Sequence, residues 1–120
     1  MIFLAHSHER GGHTENQWAH LVSHWKEIEV IPYDDIPDDV EIVLLAPKNG
    51  HIVSGEISLH DFEHPENACY VIGPDHVHFQ LDLIPRPPDH IVYIPLDGYQ
   101  EMYSWVSAGI VLYDRSLKNG

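Results

Sequence analysis

The apolar positions of this chain fall into two patterns, and each predicts a kind of element. Ile2 to Ala5, Ile28 to Pro32, Val40 to Ala46, Ala68 to Ile72 and Ile91 to Ile94 are short, nearly continuous apolar runs bounded by polar residues. Runs of that kind form strands covered on both faces, so all five are expected to be buried strands. Pro47 and Pro95 end two of them, because proline has no amide to give to a strand ladder. Elsewhere the period lengthens. Thr14-Glu15-Asn16-Gln17 is a capping box, and Trp18, Leu21, Val22 and Trp25 follow at i, i+3, i+4, i+7 spacing. A helix is therefore expected from about Thr14, with that face against a sheet. A second helical stripe runs through Met102, Trp105, Val106, Gly109, Ile110 and Tyr113, with Arg115 and Lys118 near its C-terminal end, where cations suit the helix dipole. A short helix is also expected at Ser58 to Phe62.

Strands separated by helical segments predict an α/β domain spanning residues 1–120, with a mostly parallel sheet and helices on both faces. Sheets of this kind bind ligands beyond the C-terminal ends of their strands. Those ends are Gly73-Pro74-Asp75 and Pro95-Leu96-Asp97-Gly98, which makes them the expected ligand site.

Charge narrows the partners. Nineteen acidic against six basic side chains give a net charge of −13. Binding a phosphate backbone draws on clustered cations, whereas Arg10, Lys26, Lys48, Arg86, Arg115 and Lys118 are scattered. DNA binding is not expected, and an RNA role requires a local basic patch assembled across an oligomer. Four aspartates between Tyr33 and Asp39 lack the ordered spacing of a calcium loop and read as a solvated turn. Cys69, the single cysteine, lies in an apolar run and reads as an inert core thiol. No apolar run approaches the length of a membrane span, and Met1 to Ala5 carries no basic leader, so a cytoplasmic setting is the expectation.

Three segments carry a family resemblance. Glu56 to Asp75, ending in Tyr70-Val71-Ile72-Gly73-Pro74-Asp75, is similar to the middle motif of the SpoU-type branch of the SPOUT RNA methyltransferases, where a strand ends in a Gly-Pro/Asn-Glu turn. Ile94-Pro95-Leu96-Asp97-Gly98 resembles the family's Ile-Pro-Met-x-Gly, and Ala108 to Arg115 resembles its closing helix. The three occur in the family's order and spacing over roughly residues 56–115. The resemblance implies a C-terminal trefoil knot, one of the few exceptions to the rule against knotted chains. It also implies S-adenosylmethionine as cofactor, ribose 2′-O-methylation of tRNA or rRNA, and a homodimer that completes the site.

On this resemblance Ile72, Gly73, Pro74, Ile94, Leu96, Gly98 and Met102 are expected to form the cofactor wall. A glycine and a proline after a buried strand fit that role, because they bring backbone groups to a pocket edge without bulky side chains. Arg10 is expected to orient the substrate phosphate or ribose, with Asn16 or Glu101 assisting. The sequence departs from the family in its polar residues. Asn16 and Gln17 stand in the helix where the family has an arginine after an Asn-x-Gly turn. Glu101-Met102-Tyr103 replaces its Ser-Leu-Asn, and Asp75 replaces the turn glutamate. A catalytically degenerate knotted dimer that binds a ligand, RNA or a protein is therefore the alternative. A third reading rests on His6-x-His8 with His13 and on His76-x-His78, at spacings that metals use, although no further ligand completes a recognised motif.

Overall fold

The computed structural model of the protein describes residues 1–6, 15–25, 27–46, 56–73, 81–98 and 104–119. Six strands form one sheet: β1 (Ile2–His6), β2 (Ile28–Pro32), β3 (Glu41–Leu45), β4 (Glu56–Ser58), β5 (Ala68–Val71) and β6 (His90–Tyr93). Two α-helices accompany them, α1 (Glu15–Val22) and α2 (Ser104–Asn119). The strand order is β2-β1-β5-β3-β6-β4, and every pairing is parallel.

Burial follows position in that order. β5 is buried at all four residues, and β3 at Ile42, Val43 and Leu44, as continuous apolar runs in the middle of a parallel sheet should be. β2 differs from expectation: it lies at the edge and buries only Ile31, because Glu29 points to solvent and one side of the strand has no neighbour. The other edge is β4, a three-residue strand too short to leave an apolar signature in the sequence. The expected short helix at Ser58 to Phe62 is a 3-10 turn over Leu59–Asp61, capped by the Ser58 side chain, which accepts from the His60 amide.

Residues alternate between two cores, one on each face of the sheet. Leu4, Tyr70, Val43 and Val92 point to one face, where Trp18, Leu21 and Val22 of α1 and Ala108, Val111 and Leu112 of α2 cover them. Phe3, Ala5, Ile42, Leu44, Cys69 and Val71 point to the other. Helices on both faces were expected. Among the described residues both α-helices instead lie on the first face, and the second is closed by Tyr33, Ile36, Val40 and Ile84 from 3-10 turns and loops. Large side chains set in short turns substitute there for a helix.

α2 shows which side of its helix faces the sheet. The residues it buries are Ser104, Ala108, Val111, Leu112 and Arg115, whereas Val106, Ile110, Tyr113 and Leu117 are 47, 37, 59 and 67% exposed. Of the stripe read from the sequence, Val106, Ile110 and Tyr113 thus lie on the open side of the helix.

Candidate functional site

The parallel register puts the C-terminal ends of β5 and β6 on the same edge of the sheet. Val71 pairs with Leu44, and Leu45 pairs with Val92, so only β3 stands between the two ends. Two strand spacings separate them, about 10 Å. The hydrogen bonds continue past the strands: the Ile72 amide donates to the Ala5 carbonyl at 3.0 Å and the Ala46 amide to the Val92 carbonyl at 3.0 Å. Ile72, 2% exposed, and Ile94, half-buried, pack into the same apolar cluster. Gly73 and Leu96 are half-buried, and Gly98 is exposed. A Cβ added at Gly98 would meet no atom of the described residues within 4 Å.

Two features of this edge were not read from the sequence. The first is Tyr33, buried at the start of the turn after β2, whose hydroxyl donates to the Ile72 carbonyl at 2.5 Å. It fixes the residue from which the Gly73 turn departs. Its only sequence signal is the Tyr33, Ile36, Val40 spacing inside an acidic stretch, where the four aspartates are all exposed. The second is a row of rings. His6, the last residue of β1, stacks on Trp18 of α1 at 5.8 Å between centroids, and Trp18 meets Trp105 of α2 at 5.6 Å.

Of the residues expected at the site, Ile72, Gly73, Ile94, Leu96 and Gly98 follow β5 and β6 at this edge. Asn16 is exposed on the first turn of α1. Arg10, Pro74, Glu101 and Met102 lie outside the described residues, as do His8, His13, His76 and His78 of the metal reading. Among the described residues no group of three or more His, Cys, Asp or Glu side chains is placed to hold a metal ion. No helix among them is long and apolar enough to cross a membrane. Cys69 is fully buried, and burial pushes its thiol up to about 12 despite the nearby Arg86 charge, so it stays protonated and inert.

A second polar cluster sits before β5, towards the opposite edge. His64 is held between the Tyr70 hydroxyl at Nδ1 and Asp114 Oδ2 at Nε2, each 2.7 Å away. Arg115 donates to the Tyr70 hydroxyl at 3.0 Å and to the Pro65 and Glu66 carbonyls at 2.6 and 3.1 Å. Tyr70 thus accepts from Arg115 and passes its own proton towards Nδ1, which leaves His64 with its hydrogen on Nε2, facing the Asp114 carboxylate. Burial holds the His64 pKa below 6.5 and outweighs the opposing pull of Asp114, as a neutral ring requires. Burial alone would raise the Asp114 pKa, but hydrogen bonds from His64 and Lys118 prevail and hold it below 3.8. Lys118 lies 2.9 Å from Asp114 and donates to the Leu59 and Phe62 carbonyls at 2.6 and 2.9 Å. These bonds fasten the last turns of α2 to the loop before β5.

Arg115 and Lys118 are therefore committed to the fold, and so is Arg86, which donates to the Val40 carbonyl at 2.7 Å. The other three cations, Arg10, Lys26 and Lys48, lie outside the described residues.

Comparison of the sequence finds no matching protein-family model and no matching curated protein. The fold does have counterparts among solved structures. One comes from work on the 2-OH methylation of C/U34 on tRNA; it matches with a TM-score of 0.62 and 15% identity, over 99% of this chain and 97% of that one. At that identity the likeness is one of fold, and it extends over almost the whole of both chains.

Proposed function

We propose that this protein is an S-adenosylmethionine-dependent RNA methyltransferase of the SpoU type, acting on a ribose 2′-hydroxyl of tRNA or rRNA. The observation that carries the reading is the convergence of the segments after β5 and β6 on one edge, with Ile72 and Ile94 in one apolar cluster. The full-length likeness of fold to a protein concerned with 2-OH methylation of tRNA supports it. So does the strand order: β5 and β6 come late in the chain yet enter between strands laid down earlier, as the proposed trefoil knot requires.

The residues at this edge fit the cofactor. An adenosyl group needs a flat apolar slot with backbone partners at its rim, and Ile72 and Ile94 supply the first while Gly73, Leu96 and Gly98 supply the second. Pro74 and Met102 complete the proposed wall. When bound, S-adenosylmethionine would supply an electrophilic methyl group for the ribose oxygen, whose proton would be lost as the carbon–sulfur bond breaks. The chain's own part is to hold both partners in line, and in this proposal Arg10 orients the ribose or its phosphate, with Asn16 and Glu101 assisting.

The open stripe of α2 supports the homodimer. Val106, Ile110, Tyr113 and Leu117 recur at intervals of four, three and four residues, the spacing of a helix–helix seam. Ser107, Gly109 and Ser116 flank it without charge and the fourth flanking residue, Asp114, is paired with Lys118 at 2.9 Å, which limits repulsion between two copies of an acidic chain.

The commitment of the three described cations to the fold favours a second reading, a non-catalytic dimer that binds a nucleotide-like ligand, RNA or a protein. Calorimetric titration with S-adenosylmethionine and S-adenosylhomocysteine, followed by labelled-methyl incorporation into bulk tRNA and rRNA, tests both. Binding and incorporation are expected, and Gly98→Val should abolish binding without lowering the melting temperature, because its side chain meets no atom of the described residues. Binding without incorporation leaves the second reading, and no binding of either compound removes the methyltransferase.

A further inference from the structure

Beyond Leu112 the end of α2 places no apolar side chain in the core. Of Tyr113 to Asn119 only Arg115 is buried, while Tyr113 and Leu117 stand largely in solvent. Hydrogen bonds hold these last two turns instead. His64 binds Asp114, Arg115 donates to Tyr70 and to the Pro65 and Glu66 carbonyls, and Lys118 donates to the Leu59 and Phe62 carbonyls. Asn119 Nδ2 adds a bond to the His64 carbonyl at 3.3 Å. A segment fastened in this way, without buried apolar contacts, opens locally at a lower free energy than the core.

His64 is the member of this set whose charge changes near neutral pH, and its surroundings suit the neutral ring. β5 presents Tyr70 to it, and α2 presents Asp114, Arg115 and Lys118. Its own loop presents Phe62, whose ring also meets His90, the partner of Glu41, while His60, Asp61, Glu63 and Glu66 are exposed. A proton on Nδ1 turns that atom from acceptor to donor. Among the described residues the Tyr70 hydroxyl bonds only to Nδ1 and to the donor Arg115, so its hydrogen then loses its acceptor in a fully buried place. Three cations, His64, Arg115 and Lys118, are left around the single Asp114 carboxylate.

We infer that the end of α2 is an acid-sensitive latch: a proton taken up by His64 frees Tyr113 to Asn119 from the loop before β5, and with them the half of the apolar seam that Tyr113 and Leu117 form. The consequence for the seam rests on the dimer reading, whereas the latch itself does not. Release leaves Ala108, Val111 and Leu112 packed on the sheet, so the rest of the helix keeps its place. Acid then weakens the association of two copies without unfolding either.

The test is amide hydrogen exchange of the full chain, followed by NMR at about pH 7.5 and about pH 5.5 and corrected for the intrinsic effect of pH on exchange. The amides of Leu117, Lys118 and Asn119 are expected to open by a route insensitive to low denaturant. They should open several-fold more readily at the lower pH, up to about tenfold for a ring whose pKa is 6.5 when freed. His64→Gln cannot take up the proton, so it should keep the protection seen at the higher pH and lose the pH dependence. Equal opening at both pH values overturns the latch, as does a pH dependence that survives in His64→Gln. Exchange of these amides only through global unfolding, in step with those of β5, overturns it too. If His64→Gln does not fold, NMR titration of the ring in the parent decides: a His64 that titrates at 6.5 or above in the folded chain rejects the latch. Sedimentation at the same two pH values reads the seam. The parent should shift towards monomer in acid and His64→Gln should not. A dimer equally tight at both overturns the consequence for the seam, and a parent monomeric at both overturns the dimer reading, with the latch judged by exchange alone.

Discussion

At the scale of single residues, two hydrogen-bonded groups set measurable properties. Tyr33 holds the Ile72 carbonyl from the far face of the sheet. Tyr33→Phe removes that bond and keeps the ring, at a cost of about 1 kcal/mol in stability. The freed carbonyl also lets the Gly73 turn drift, so S-adenosylhomocysteine should bind several-fold more weakly by calorimetry, beyond what a uniform loss of stability would cause. His64 governs a pH response. Its pKa is lowered on folding, so below pH 6.5 the unfolded chain takes up a proton that the folded ring refuses. Stability should be level above about pH 7 and fall as pH drops through 6.5. Asp114 acts in a separate window, because its lowered pKa stabilises the fold above 3.8 and that contribution disappears as pH falls further. Denaturant titrations across this range should show both declines, and His64→Gln, whose amide can accept from Tyr70 and donate to Asp114, should flatten the first.

At the scale of elements, α2 has two apolar sides and buries only one. Ile110→Asp is expected to leave the monomer's fold in place, because Ile110 is on the open side, and to shift sedimentation of the proposed dimer towards monomer. A dimer that survives the change places the partner elsewhere. The same helix shows where sequence reading stops. Its period was legible, but its phase was not: Val106, Ile110 and Tyr113 are larger and more apolar than Ser104 and Ala108, yet the small residues face the sheet, where they let the helix approach, and Arg115 reaches Tyr70 below them. The interior strands β3 and β5 were legible because burial on both faces leaves continuous apolar runs. β4 was not, since three residues at an edge need no pattern. At the candidate site, the C-terminal ends of β5 and β6 could be located from the strand runs alone. The bond from Tyr33 to Ile72 could not, because it joins residues 39 positions apart through the tertiary fold.

At the scale of the whole molecule, the order of strands in space departs from their order along the chain. β1 and β3 are separated by β5, and β3 and β4 by β6, so each interior gap is filled by a segment made later. During synthesis, residues 1–67 can therefore form none of the four pairings that β5 and β6 make. A growing chain must keep Phe3, Leu4, Ile42, Val43 and Leu44 uncovered on their strand edges until the ribosome has added the residues that belong between them. Assembly of this sheet is thus deferred until β5 and β6 have both been made, and the nascent chain passes through a stage in which exposed strand edges invite pairing with neighbouring chains or capture by a chaperone.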